Sequence, residues 1–290
     1  MPSRSSEIAP DVFAVINSDD DSVIAGFGAN QGFVVLEESV LVFDTGFSKK
    51  QVDELLRSVH RVTDKPIRYV VNSHDHSDHV FGNSLVVNYN TDASEKLLVI
   101  SHSTCKQRMK ELFSQRLENY RNGPFGESLR PFLREVSPEY PQLCYVDNSI
   151  RLKLEGHDMC LIHPSTGAHT LGDTLLAMPK SRVIFAGDVL WNRFYPNLED
   201  ANLEGWIEFL TDVDLRTYLS IVPGHGDVCG QKEVDEFRSY LELVRKNLLN
   251  AKNELSQEQK RRCFQSPDDE DWKLKWIIEY NIDSLFSTHG

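Results

Sequence analysis

A chain of 290 residues with 44 acidic against 31 basic side chains, formal charge −13, lacks the basic field that binding a phosphate backbone requires, so no nucleic-acid partner is expected. Its apolar share of 40% suffices for a sizeable core, and its length suits one large two-sheet α/β domain over residues 1–290. Nothing approaches the ~20 apolar residues of a membrane span, and Met1 to Ala14 is polar and acidic, which excludes a membrane partner and a secretory leader from the expectation.

After this polar start, Val12 to Ile16, Val23 to Phe27, Gly32 to Leu36 and Val40 to Phe43 are β-rich runs between Asp, Asn, Gly and Glu clusters, the pattern of an antiparallel meander. The last run ends in Asp44-Thr45-Gly46. Ser48 is placed to cap a helix over 49–61, where Val52, Leu55, Leu56 and Val59 recur at helical spacing until Lys65-Pro66 stops it. Ile67 to Val71 reads as a buried strand, and it runs into Asn72-Ser73-His74-Asp75-His76-Ser77-Asp78-His79. In extended chain, His74, His76 and Asp78 share one side and Asp75 takes the other. His79 breaks that alternation, because neighbours diverge by about 100° once the chain coils into a helix. Two adjacent metal pockets follow, one with His74 and His76 and one with Asp78 and His79, and imidazole with carboxylate suits zinc or iron.

Beyond this stretch, Val80 to Asn83 begins a short helix or turn, Leu97 to Ile100 is a strand, and Lys106 to Tyr120 is helical with Met109, Leu112, Phe113 and Leu117 on one side. Residues 121–142 mix Gly, Pro and Arg with aromatics and read either as a lid or as a surface excursion. Further strands are expected at Ile150 to Leu154, Met159 to Ile162, Thr174 to Met178, Val183 to Ala186 and Leu219 to Val222. Gly167 to Asp173, with His169, lies in the loop before one of them. Asp44, His74, Asp188 and His225 each stand where a buried strand ends, the place where a rigid sheet can root variable functional loops. Helices are expected near 203–211 and 231–249. A last amphipathic helix over Asp271 to Phe286 should give its tryptophans, Trp272 and Trp276, to the core.

Taken together, Asp44 in Val-Phe-Asp-Thr-Gly, the H-x-H-x-D-H string from His74 to His79, His169 in Gly-Ala-His-Thr-Leu-Gly-Asp, Asp188 in Phe-Ala-Gly-Asp and His225 in Pro-Gly-His-Gly resemble the metallo-β-lactamase superfamily, across roughly residues 10–246. The resemblance implies an α/β fold, a four-layer αβ/βα sandwich with two mixed sheets face to face, helices outside and metals in a cleft at one edge; residues 247–290 would be a helical extension. It implies that His74, His76 and His169 hold one metal, Asp78, His79 and His225 the other, and that Asp188 bridges them. Two zinc ions per chain are the expected cofactor, with iron or manganese as alternatives, and a hydroxide between them would be the nucleophile. Asp44 would orient a ligand histidine through its other ring nitrogen.

This ligand set resembles glyoxalase II, lactonases, ribonuclease Z and broad-specificity hydrolases more than the true zinc β-lactamases. Lactonases of acyl-homoserine lactones usually place Tyr where Trp191 stands. The basic C-terminal region expected of glyoxalase II is represented only by Lys252, Lys260, Arg261 and Arg262, and the long insertion of the nuclease branch is missing. Trp191, Arg193, Phe194, Tyr195 and Asn197 are candidates to line the substrate cleft, or else to pack the loop. The expected activity is hydrolysis of an ester, thioester, lactone or lactam in a small molecule, with Asp78 as the catalytic side chain. An iron dioxygenase of the persulfide type and a metal-dependent nuclease or phosphodiesterase are the alternatives. Cys105, Cys144, Cys160, Cys229 and Cys263 form no C-x-x-C pair, which points to reduced thiols in the cytoplasm. A homodimer is left open.

Overall fold

The β-rich runs of the first half pair in chain order. In the computed structural model, which describes residues 4–17, 27–89, 96–123, 126–251 and 255–287, β1 (Arg4–Ala9), β2 (Val12–Ile16), β3 (Gln31–Val35) and β4 (Val40–Phe43) are antiparallel neighbours. β5 (Ile67–Val71), β6 (Leu98–His102) and β7 (Leu143–Tyr145) then add in parallel, completing a mixed sheet of seven strands. Parallel neighbours need crossovers, and helices supply them: α1 (Lys49–His60) before β5, α2 (Ser77–Val80) and α3 (Asn83–Tyr89) before β6, α4 (Ser103–Asn122) and α5 (Gly126–Leu129) before β7. The second sheet has five strands. β8 (Ser149–Leu154), β9 (His157–Ile162), β10 (Leu175–Met178) and β11 (Val183–Trp191) are antiparallel, and β12 (Ser220–His225) lies parallel to β11 after α6 (Leu203–Asp212). α7 (Gln231–Asn250), α8 (Gln257–Phe264) and α9 (Ile277–Ser287) follow.

The layers follow from strand alternation. In β4, Leu41 and Phe43 meet Leu161, Leu176 and Phe185 of the other sheet, while Val40 and Val42 turn outward onto Val52, Leu55 and Val59 of α1. In β11, Val183 and Phe185 point inward, and Ile184 and Ala186 pack outward against Trp206 of α6 and Phe237 and Leu241 of α7. The result is helix, sheet, sheet, helix, as the resemblance implies. The sheets touch at Gly32, where an added Cβ would lie 2.1 Å from the Phe185 ring. They are also stitched at one edge by buried Asn30, whose amide donates to Gly224 O (2.7 Å) and whose side chain donates to Pro223 O and Gly226 O.

Several expectations shift. The Val23 to Phe27 strand falls, except for Phe27, outside the described residues, as does Lys252. The described part of 121–142 does not cover the cleft: Leu129, Leu133 and Val136 are buried against Phe113 and Leu117 of α4. The last helix starts at Ile277 rather than Asp271, with Trp272 buried in the irregular chain before it. Among the described residues no helix is long and apolar enough to cross a membrane.

Candidate metal centre

The ends of both sheets meet at one edge. His74 and His76 follow β5 in extended chain, and Asp78 and His79 occupy the single turn of α2. That turn is fastened to the end of β4, because the Thr45 amide and hydroxyl donate to His79 O at 2.9 and 3.1 Å. From the second sheet come His169, in the loop before β10, and His225, at the end of β12. Asp173 holds the His169 loop by accepting from the Thr170 amide (2.9 Å) and hydroxyl (2.8 Å). β11 does not stop before Asp188 but continues to Trp191, through register shifts against β12 that bend it at the carboxylate. The glycine before His225 is needed there, since a Cβ on Gly224 would lie 1.8 Å from Asp188 Oδ1.

Two groups result, each with its donor atoms within 4.8 Å of one another: His74, His76, His169 and Asp188; and Asp78, His79 and His225. Asp188 stands between them. Its Oδ2 faces His169 Nε2 (3.3 Å) and His74 Nε2 (3.9 Å), and its Oδ1 faces His79 Nε2 (3.1 Å) and His225 Nε2 (3.6 Å). Asp78 Oδ2 lies 3.3 Å from His225 Nε2 and 3.7 Å from His79 Nε2. His76 turns Nδ1 to within 2.9 Å of His169 Nε2. Buried polar atoms ordinarily find partners, yet the Nε2 atoms of His74, His79 and His225 and Oδ1 of Asp188 are buried without a hydrogen bond among the described residues. Divalent cations fit this donor set of imidazoles and carboxylates.

Three of the outward ring nitrogens are anchored, while Nδ1 of His169 and of His225 have no hydrogen-bond partner among the described residues. His79 Nδ1 meets Asp44 Oδ2 at 2.8 Å, and Asp44, at φ 58°, also accepts from the Ser73 amide and hydroxyl at 2.7 Å each. His74 Nδ1 lies 3.0 Å from Ser73 Oγ. His76 Nε2 meets Asp200 Oδ2 at 3.0 Å, and Asp200 is fixed by Arg108 (2.6 Å) and Arg116 (3.2 Å). Both arginines also donate to buried Asp75, which points away from the ligands as alternation requires. Asp200, Arg108 and Arg116 went unsuspected in the sequence: their only trace is two arginines on an otherwise partly apolar helix.

Burial, reinforced by neighbouring imidazoles, holds His74 well below the usual histidine range, and burial takes His169 down to about 3; both are neutral, the form that ligates. Burial pushes His79 down as well, but Asp188, Asp78 and Asp44 together outweigh it and raise it well above. For Asp188, burial opposes ionisation and is outweighed by His79 and His225, so the carboxyl stays below the ordinary carboxylate range.

A cleft of about 580 Å³ opens beside Asp78 and Asp188. Trp191 lines it, stacked on the His225 ring at 4.1 Å, with Nε1 donating to Asp188 O; Asn197 lines it too. Phe194 is buried within 6.3 Å of the His225 ring, in the core cluster. Arg193 turns outward toward Asp271 and Glu236, and Tyr195 is fully buried, its hydroxyl accepting from the Ser266 amide. Leu112, Arg116 and Tyr120 of α4 line it as well, with Trp276, Ile277 and Tyr280 of the C-terminal segment, so Trp276 serves the cleft as well as the core.

A family model described as the metallo-beta-lactamase superfamily matches residues 24–225. No curated protein matches the chain. Among solved structures, a metallo-beta-lactamase from Pontibacter korlensis superposes with a TM-score of 0.65 at 18% identity, over 83% of this chain and 99% of that one. The DIM-1 metallo-beta-lactamase gives 0.61 at 16% identity, over 83% and 98%. Crystals of the latter exposed to ceftazidime give 0.61 at 17%, over 83% and 97%. At such identities the likeness speaks for the fold alone.

Proposed function

The chain belongs to the metallo-beta-lactamase superfamily, and from that premise we propose that it is a zinc-dependent, dinuclear hydrolase of a small-molecule ester, thioester, lactone or lactam. The observation that carries this reading is Asp188, with one oxygen turned to each group of ligands and Oδ1 buried without a hydrogen bond. His74, His76 and His169 would hold one cation, Asp78, His79 and His225 a second, and Asp188 both. When bound, the cations would supply an activated water and polarise the scissile carbonyl. The protein does the remainder. Asp44 and Asp200 fix the rings of His79 and His76, sparing reorganisation during turnover. Asp78 lines the cleft, where its carboxylate can accept a hydrogen bond from the attacking water and aim it at the carbonyl. Completeness of the second group favours this reading over a single-iron oxidoreductase.

The test is metal content of protein purified without added metal, followed by a panel of lactone, thioester, β-lactam and phosphodiester substrates. Close to two zinc ions per chain with turnover of a carbonyl substrate supports the reading. One iron per chain without hydrolysis overturns it in favour of the dioxygenase.

A further inference from the structure

The cleft joins a floor of carboxylates to walls that are partly apolar and partly charged. The floor carries Asp78 and Asp188. Away from it, Phe27, Leu112, Tyr120, Trp276 and Ile277 present rings and alkyl groups. Phe27 is stacked on Phe47 at 4.6 Å and edges onto Tyr120, so this wall is backed by core rather than by mobile side chains. Arg116 is the one cation among the lining residues, and it is already engaged: Nη1 donates to Asp75 O (2.9 Å) and Oδ2 (2.8 Å), and Nη2 to Asp200 (3.2 Å). The other charged groups of the walls, Glu199 and Asp200, are acidic, and Glu199 accepts from the Tyr280 hydroxyl at 2.5 Å. A carboxylate or phosphate remote from the metals would therefore leave water for a site whose one cation is already engaged and where Glu199 adds a further negative charge, which is unfavourable.

We infer that the part of the substrate remote from the scissile bond is apolar and uncharged, and that Trp276 of the C-terminal segment selects it. This rests on the hydrolase reading and adds a substrate class to it. Trp276, Ile277 and Tyr280 lie beyond residue 225, where the family match ends, whereas Phe27, Leu112 and Tyr120 lie within it, so the C-terminal part of the wall stands outside the matched framework.

The experiment uses the zinc-loaded full-length protein and matched esters with one leaving group: p-nitrophenyl acetate, p-nitrophenyl hexanoate and mono-p-nitrophenyl adipate, the last carrying a terminal carboxylate. A second readout needs no hydrolysis: quenching of tryptophan fluorescence by the corresponding anilides of hexanoic and adipic acid. The hexanoate should exceed the adipate in kcat/KM by about tenfold or more, and its anilide should bind correspondingly tighter. Trp276→Ala should raise KM for the hexanoate roughly tenfold, within the range set by apolar pocket contacts, with a smaller change in kcat and a smaller rise in KM for the acetate; Trp276→Phe should restore most of the loss. If no ester is turned over but the neutral anilide still binds better, the hydrolase reading fails and the selectivity stands. Equal or better binding of the carboxylated compounds, or an unaltered KM in Trp276→Ala, overturns the inference.

Discussion

Asp78 is placed for two duties that rest on one carboxylate. It stands in the second group of ligands, 3.3 Å from His225 Nε2, and it also lines the cleft. Asp78→Asn keeps the shape and one oxygen but removes the charge. We expect kcat to fall at least ~10²-fold, the lower end for a positioned acid–base group, with fold and the first cation retained. His60→Ala, exposed on α1 and paired with Tyr89, is the control and should leave turnover intact. Full activity of Asp78→Asn would mean that another group aims the water. Asp200 acts at one remove: Asp200→Asn should weaken metal affinity by about 10–100-fold through the loosened His76 ring, at one of two sites, which titration with a chelating competitor resolves. Affinity unchanged at both sites would show that the arginines hold His76 without it. The candidate ligands were legible because four of them crowd into one stretch and the others lie on or beside buried strands. Asp200 was not, since its partners His76 and Arg108 are 124 and 92 residues away and no local pattern announces them.

The strands and helices were legible wherever burial imposes a period. β2, β4 and β5 coincide with their β-branched runs, because both faces of each strand are covered. β1, with Arg, Ser and Glu on an exposed edge, and three-residue β7 carry too little apolar pattern to stand out. α8 was missed although Ser256 and Gln259 form a capping box that signals its start. One junction between elements makes stability depend on pH. His102 Nδ1 accepts the Thr104 amide at the N-terminus of α4, and its ring stacks at 3.7 Å on His163, which follows β9. Burial lowers both imidazoles below their ordinary 6.5, so they are neutral when folded, while the unfolded chain takes up protons below about that value. Unfolding is then favoured as pH falls from 6.5, and stability is retained above it. Protonation would remove the cap acceptor and place positive charge at a helix N-terminus, together worth roughly 1 kcal/mol. His102→Asn keeps an acceptor without titrating. Its melting temperature should fall less than that of the wild type between pH 8 and 5.5 at saturating zinc, and parallel curves would refute the assignment.

At the scale of the molecule, four candidate ligands arrive from the loop and turn after β5 and three from the second sheet, so the candidate site draws on both halves of the sandwich. The sequence announced both halves as strands that end in ligands. It did not announce that the C-terminal segment, rather than 121–142, walls the cleft, because Trp276 has the helical spacing of an ordinary core residue. The convergence at one edge has a mechanical consequence. Cations seated there would clasp the sandwich shut like the lock of a book, and the Asn30 amide, donated across the gap to Gly224 O, is the stitch beside the lock. Stripping zinc with a chelator should therefore loosen the edge before the spine. Hydrogen exchange at the Asn30 amide should accelerate markedly, while amides such as Phe33, inside the first sheet beside the Gly32 and Phe185 contact, keep their protection. Equal acceleration at both would mean that the metals hold the whole fold, and none at Asn30 that the book stays closed without its lock.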